Sequence, residues 1–228
     1  KRFLADSIAD ISHQIRTPLT SINLVLSLLS EPEIQEERRK ALLQELYELI
    51  SRIDWLISAL LKISKLDAGT VEFKKEQIPL EQLVRNACEP LLVPIELRGQ
   101  RLQIDAAGTF SGDISWTAEA LTNIVKNCME HTPPGGTVTV AVREDALATT
   151  IAVSDTGPGI APEDLPHIFE RFYRGGAVEE ANVAQPAGFG IGLSLAQALV
   201  SAQGGTLRAS NNPAGGARFE IAFPKLVV

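Results

Sequence analysis

Cysteine is scarce: Cys88 and Cys128 are the whole complement. They lie far apart, with neither a zinc-ligand spacing nor a paired framework. A structural zinc site and a disulfide-held fold are therefore not expected, and a reducing compartment fits best. Positive charge is short as well, with 21 Lys and Arg against 28 Asp and Glu for a formal net charge of −7. No basic stripe is available to neutralise phosphates, so a nucleic-acid partner is not expected. No long apolar run of the kind that crosses a bilayer occurs. The first residues do not read as a signal peptide. They are already in helical register, "KRFLADSIADI", from which we expect a piece of a longer chain. No internal repeat is found.

What is present is ordinary globular material. Hydrophobic residues make up 45% of the 228 positions, enough for a core in one or two domains. Leu4, Ile8, Ile11, Ile15, Leu19, Ile22, Leu26 and Leu29 recur at steps of three and four, the stripe of an amphipathic helix over residues 3–29. "SEPEIQEE" interrupts it. A second stripe runs from Leu42 through Leu46, Leu49, Ile53, Leu56 and Leu60 to Ile63, with Gly69 as a stop. Two such helices form an antiparallel hairpin. Each has only one apolar face, so pairing of two hairpins into a four-helix bundle is the expected completion, which makes the protein a homodimer.

After Gly69 the texture changes. "TVEFKKEQI" alternates like a strand, residues 79–98 read as a helix, and "RLQIDA" reads as a short strand. Residues 114–131 are predicted helical, and "TPPGG" then turns the chain. "TVTVAVRED" and "TTIAVSD" are predicted to pair as strands. "IGLSLAQALVSAQGG" reads as a helix with a glycine stop, and "TLRASN" and "ARFEIAF" as a closing strand pair. The fold class expected is α+β. The helical hairpin occupies residues 1–68, and residues 69–228 form an α/β sandwich with a mixed sheet and helices on one face.

Three stretches carry chemistry. In "NIVKN", Asn123 and Asn127 share a helix face at i and i+4, where two amides can meet a hydrated cation or phosphate groups. A solvated helix face is the blander reading. In "SDTGPGI", Asp155 follows a strand and Gly157 and Gly159 leave room for close backbone approach. A carboxylate there can accept from an exocyclic amine, although a plain Asx turn has the same look. In "GFGIGL", Gly188, Gly190 and Gly192 lead into a helix whose first N–H groups can bind phosphate oxygens. It is neither a Rossmann fingerprint nor a P-loop.

Each signal is weak alone; their order is not. Asn…Asn, then Asp-x-Gly-x-Gly, then "FERFYR", then Gly-x-Gly-x-Gly resembles the N, G1, F and G2 boxes of sensor histidine kinases. "SHQIRTPL" resembles their H box, and the likeness covers essentially the whole chain. The resemblance implies ATP and Mg²⁺ as cofactors. It makes His13 the phospho-acceptor and Thr17 the threonine used in dephosphorylating a response-regulator receiver. It also makes Asn127 the metal ligand, with Asn123 a turn earlier by the phosphates, and Asp155 the adenine-binding aspartate. Gly157 and Gly159 then shape the pocket, and Gly188, Gly190 and Gly192 border the lid and the triphosphate. Phe169, Phe172 and Tyr173 become the anchor of a lid over residues 174–189. Nothing resembles a protein-kinase catalytic loop. Glu119, Lys126, His131, Arg171 and Arg174 lie near these motifs without a clear role.

One departure stands out. The family usually has Glu or Asp after the acceptor histidine, as proton holder and base; this chain has Gln14. A glutamine oxygen can fix the tautomer by accepting a hydrogen bond but cannot take a proton. Pro18, five residues after His13, leaves the Gln14 carbonyl without its helical donor. The implied function is ATP-dependent autophosphorylation at His13 and transfer to an aspartate of a response regulator. The alternatives are a phosphatase-biased regulator and a non-catalytic nucleotide-gated scaffold. The implied setting is a cytoplasmic fragment that does not itself touch the membrane, from a sensor anchored in the inner or plasma membrane.

Overall fold

Helix α1 (Arg2–Leu29) and helix α2 (Glu36–Asp67) are the two amphipathic stripes realised. The computed structural model describes residues 2–175 and 188–225. α1 runs through Pro18 without ending. Its loop to α2 begins with Ser30 and Glu31 bonding back to the last carbonyls of the helix. Val25, Leu42 and Leu49 form the buried centre of the hairpin, with Ile22, Leu28, Leu29, Ile34 and Leu46 packed around it. Leu24, Tyr47, Ile50 and Leu61 remain more than half exposed. The single chain therefore leaves an apolar face that its own hairpin does not use. α2 stops as expected: Gly69 takes φ 64° and Thr70 N–H donates to the Lys65 carbonyl, a left-handed helix cap.

The chain divides into two compact units, residues up to Lys62 and from Ile63 onward, so the last turn of α2 goes with the second unit. The second unit also contains β1 (Glu76–Pro79), α3 (Leu80–Cys88), α4 (Leu92–Leu97), β2 (Arg101–Asp105), β3 (Thr109–Gly112) and α5 (Ile114–His131). β4 (Thr137–Glu144), β5 (Ala148–Asp155), α6 (Gly192–Ala202), β6 (Thr206–Asn211) and β7 (Ala217–Pro224) complete it. The main sheet has the order β2-β4-β5-β7-β6, with β2 parallel to β4 and every other pair antiparallel. It is the mixed sheet expected. Alternation along β7 buries Ala217, Phe219, Ile221 and Phe223. β4 buries Val138, Val140 and Val142 in the same way. α5 and α6 cover that face: Leu121, Ile124 and Val125 of α5 and Leu195 and Leu199 of α6 are fully buried.

Two readings needed correction. "TVEFKKEQI" is a strand only from Glu76, because only Glu76–Pro79 finds a partner, in β3. Alternation without a neighbouring strand leaves residues 70–75 irregular. Residues 79–98 are not one helix. Pro90 opens a short 3-10 turn at Glu89–Leu91, and α4 starts afresh at Leu92, because proline lacks the N–H that continues the ladder. β3, "TFSG", gave no strand signal at all.

α5 is fixed at its start by Asp113. Its Oδ1 accepts from Ser115 N–H (3.0 Å) and Trp116 N–H (3.2 Å), and its Oδ2 accepts from Lys74 N–H (3.0 Å). Replacing it (Asp113→Ala) should lower stability by about 1–2 kcal/mol. Urea unfolding should show this as a lower midpoint with an unchanged slope.

Candidate functional site

His13, Gln14 and Thr17 lie on α1 in the first unit, His13 and Thr17 exposed and Gln14 half-buried. One helical turn separates His13 from Thr17, which puts them on one face. The Thr17 hydroxyl donates to the His13 backbone carbonyl at 3.4 Å. That bond is long, so the hydroxyl is easily turned to another acceptor.

The remaining candidates lie in the second unit around α5. The buried face of this helix carries Leu121, Ile124, Val125 and Cys128, all fully buried. Asn123 and Asn127 sit at the edge of that face, half-buried. Asn123 Nδ2 donates to the Glu119 carbonyl (2.9 Å), which commits the nitrogen and leaves Oδ1 as an acceptor. That oxygen lies 3.2 Å from where a Cβ on Gly192 would be. Two stretches far apart in sequence thus meet where α6 begins. Among the described residues no group of three His, Cys, Asp or Glu could hold a metal. Asn123 and Asn127 carry amide oxygens, a donor type that suits a hard cation keeping water and phosphate ligands.

Asp155 ends β5 and is 4% exposed. Its Oδ1 accepts from Gly157 N–H (2.8 Å) and Ala217 N–H (3.1 Å). The Gly157 bond is the Asx turn that the sequence allowed. The Ala217 bond, from a distant hairpin, is more than an Asx turn requires. Both fall on one oxygen, Oδ1. The Cys128 thiol stands beside this carboxylate. Burial first, then the charge of Asp155 and the hydrogen bond to it, push the thiol well above its usual range. It stays a neutral S–H next to the carboxylate. A Cβ on Gly157 would fall 2.5 Å from the His131 carbonyl, so only glycine lets the loop reach the end of α5.

Gly190 has the firmest requirement of the second glycine group. Its φ is 69°, and a Cβ there would fall 2.6 Å from the Tyr173 carbonyl. Phe172 N–H donates to the Gly190 carbonyl (2.9 Å), and Phe172 takes φ 66°. The "FERFYR" segment is thus bound to the second glycine loop backbone to backbone. Phe169, Phe172 and Tyr173 are all half-buried. Gly188 has no positive φ and no described neighbour that a Cβ would meet. Of the expected lid, residues 176–187 lie outside the described residues.

Arg171 and Lys126 find partners, one far away in sequence and one a turn along the helix. Arg171 binds Asp67 at 2.6 Å, and His167 Nδ1 meets Glu170 at 2.8 Å. Lys126 lies 3.8 Å from Glu130, and the His131 carbonyl backs Gly157. Tyr173 donates to Asp164 Oδ1 (2.7 Å), the largest cause of its raised pKa. Sequence reading missed three contributors. Cys128 belongs to no motif. Gln100 donates from Nε2 to the carbonyls of Met129 and Thr132 and so fixes the end of α5. Asn211 holds Ile160. All three act across long sequence separations that no local spacing encodes.

Gly190→Ala should weaken nucleotide binding by about tenfold or more through collision and strain, while Gly188→Ala should stay within about twofold; calorimetric titration of both variants checks this. Burial also pushes Cys88 from an ordinary 9.0 to about 11. Across that pH window the unfolded chain has released a proton that the folded chain keeps. The stability this thiol contributes is therefore full below pH 9 and declines from 9 to about 11. Urea unfolding at alkaline pH should show a steeper decline for the native protein than for Cys88→Ala.

Comparison with known proteins now bears on this geometry. The family model for histidine kinase-, DNA gyrase B-, and HSP90-like ATPases matches residues 112–227. The model for the His Kinase A (phospho-acceptor) domain matches residues 4–69. Sensor protein SphS of Synechococcus elongatus is 35% identical over 231 residues, which covers 96% of this chain and 54% of that protein. The signal transduction histidine-protein kinase/phosphatase MprB of Mycolicibacterium vanbaalenii is 31% identical over 219 residues, 92% of this chain and 43% of that protein. The chain thus spans about half the length of these relatives. In fold it is similar to histidine kinase ThkA, solved in complex with response regulator protein TrrA. The TM-score is 0.73 at 20% identity, over 98% of this chain and 62% of that one. With a phospho-acceptor domain followed by an ATPase domain, the chain belongs to the histidine kinase-, DNA gyrase B-, and HSP90-like ATPase family, as the catalytic core of a two-component sensor histidine kinase.

Proposed function

We propose that this chain binds ATP in its second unit, phosphorylates itself on His13 and passes the phosphoryl group to an aspartate of a response-regulator receiver. The observation that carries this reading is the convergence around α5. Asn123 Oδ1 faces the start of α6, and the buried Asp155 carboxylate lies beside the glycine loop that backs onto His131. ATP supplies the γ-phosphoryl group, and Mg²⁺ neutralises phosphate charge. Asn127, with Asn123 a turn earlier, would hold that cation, and Asp155 would accept from the adenine amine. Gly157 and Gly159 would shape the base pocket, and Gly188, Gly190 and Gly192 the phosphate side. There is little covalent work beyond positioning and charge neutralisation.

At His13 the attacking nitrogen must be unprotonated while the other keeps its proton. The new N–P bond forms as the bond from the γ-phosphorus to the leaving ADP oxygen breaks. Gln14 can accept the ring N–H and set the tautomer, but it carries no charge to stabilise imidazolium. Charge-assisted hydrogen bonds are about twice as strong as neutral ones, so the loss is roughly 1–1.5 kcal/mol. That corresponds to a transfer about tenfold slower than with a carboxylate. Thr17, whose hydroxyl makes a long bond to the His13 carbonyl, would orient water in the reverse reaction on the phosphorylated receiver. Gln14 favours a second reading, a regulator biased toward phosphatase activity, and the name of MprB carries both activities. The retained acceptor and amide residues favour either over a non-catalytic scaffold.

The unused apolar face of the hairpin, with Leu24, Tyr47 and Ile50 exposed, supports a homodimer joined through a four-helix bundle. The complex of ThkA with TrrA supports a response regulator as partner. We place residues 1–68 as the dimerisation and phosphotransfer part and 69–228 as the ATP-binding part. The greater length of the relatives named sensors supports a longer protein, and we propose that it is membrane-anchored with this core in the cytoplasm. Among the described residues no helix is long and apolar enough to cross a membrane.

Incubation with γ-labelled ATP and Mg²⁺ tests the reading. Acid-labile, base-stable label should appear on the native protein and be absent from His13→Ala. Gln14→Glu should label about tenfold faster. Absence of label despite ATP binding would move the assignment to the phosphatase reading, which a phosphorylated receiver then checks. Equal rates for native protein and Gln14→Glu would overturn the role given to residue 14.

A further inference from the structure

We propose that Asn211, which belongs to none of the recognised motifs, is a positioning residue for the base end of the nucleotide site. The proposal rests on the reading of Asp155 as the adenine acceptor. Asn211 is the last residue of β6. Its carboxamide pairs with the backbone of Ile160 in both directions. Ile160 N–H donates to Asn211 Oδ1 at 2.8 Å, and Asn211 Nδ2 donates to the Ile160 carbonyl at 2.7 Å. A side chain here imitates the bond pair of a strand ladder and attaches a loop to the edge of the sheet. Gly159, just before, has φ 83°, and its Cβ place lies 2.9 Å from the same Oδ1. The amide therefore covers the loop where only glycine fits.

The same hairpin holds the loop's other end. Ala217 N–H donates to Asp155 Oδ1 (3.1 Å). A Cβ on Gly216, at φ 86°, would fall 1.9 Å from the Asp155 carbonyl. The turn between them is closed by Gly215 N–H on the Asn212 carbonyl and Asn212 N–H on the Gly216 carbonyl, both 2.9 Å. Residues 211–217 thus grip both ends of the loop that starts at Asp155 and ends at Ile160. Oδ1 of Asp155 is held by the loop and by the hairpin together, so the direction of its carboxylate depends on this grip. Asn211 acts through the loop and touches no nucleotide.

Asn211 is exposed, so water competes for its bonds and its loss leaves the fold standing. Two net hydrogen bonds at the low end of their usual worth correspond to about a fivefold change in affinity. The test is calorimetric titration of ATP, GTP and tripolyphosphate into the native protein, Asn211→Ala, Asn211→Asp and Asp155→Asn, with amide exchange at Ile160. Asn211→Ala should bind ATP about fivefold more weakly, show a narrowed preference for ATP over GTP, bind tripolyphosphate as before and exchange faster at Ile160. Asn211→Asp keeps the acceptor for Ile160 N–H and should fall between. ATP affinity and preference unchanged in Asn211→Ala would overturn the proposal, and so would equal weakening of all three ligands, which marks a general structural effect. If Asp155→Asn narrows the preference and Asn211→Ala does not, only the role of Asn211 falls. If Asp155→Asn itself leaves the preference intact, the reading of the base pocket falls and takes this proposal with it.

Discussion

A carboxylate buried to 4% exposure, as Asp155 is, cannot stand in a protein interior without donors. The second unit is organised around supplying them. Gly157 N–H, Ala217 N–H and the Cys128 thiol come from the loop, the last strand and the central helix. Each donor needs its own element in place. β7 must lie beside β5, α5 must lie over the sheet, and the loop after β5 must turn at once. The register that pairs Ser154 with Arg218 brings Ala217 level with Asp155. Burial of the sheet face and the holding of the Asp155 carboxylate are two results of a single packing arrangement.

α5 shows how core and chemistry share one element. Leu121, Ile124, Val125 and Cys128 are fully buried, and the helix period leaves Asn123 and Asn127 at the margin of that face. The capping carboxylate of Asp113 fixes where the helix starts, and Gln100 fixes where it ends. Shifting either end by one residue would turn the asparagines by about 100°. The first unit is built on a looser rule. Its histidine is exposed, and its threonine hydroxyl bonds to its own helix.

Much of this was legible in the sequence because its signals are periodic or local. The two long helices, α5 and the paired strands from β4 onward follow from spacing, and the glycine groups mark turns by their own backbone freedom. The segments that failed did so for lack of context. Residues 70–75 alternate but find no partner strand, and "TFSG" becomes a strand only because Glu76–Pro79 pairs with it. Pro90 split a helix that composition alone left whole. In the site, Asp155 was legible as a motif, while Cys128, Gln100 and Asn211 were not. Each reaches across tens of residues, and nothing local distinguishes an asparagine that ends a strand from one that clamps a loop.

The left-handed backbone at Phe172 has a consequence for how this sequence can change over generations. Phenylalanine takes φ 66° only under constraint, at a cost of about 1 kcal/mol or more. The constraint runs to the Gly190 carbonyl, and Gly190 is itself left-handed and pressed against Phe172 and Tyr173. Positions 172 and 190 are therefore one inherited unit, although they lie apart in the sequence. A glycine arising at 172 would relax the strain and loosen the pairing together, whereas any side chain at 190 would need a compensating change on the other side. Covariation between these two positions, and its absence at Gly188, is the trace that such a joint constraint leaves in a lineage.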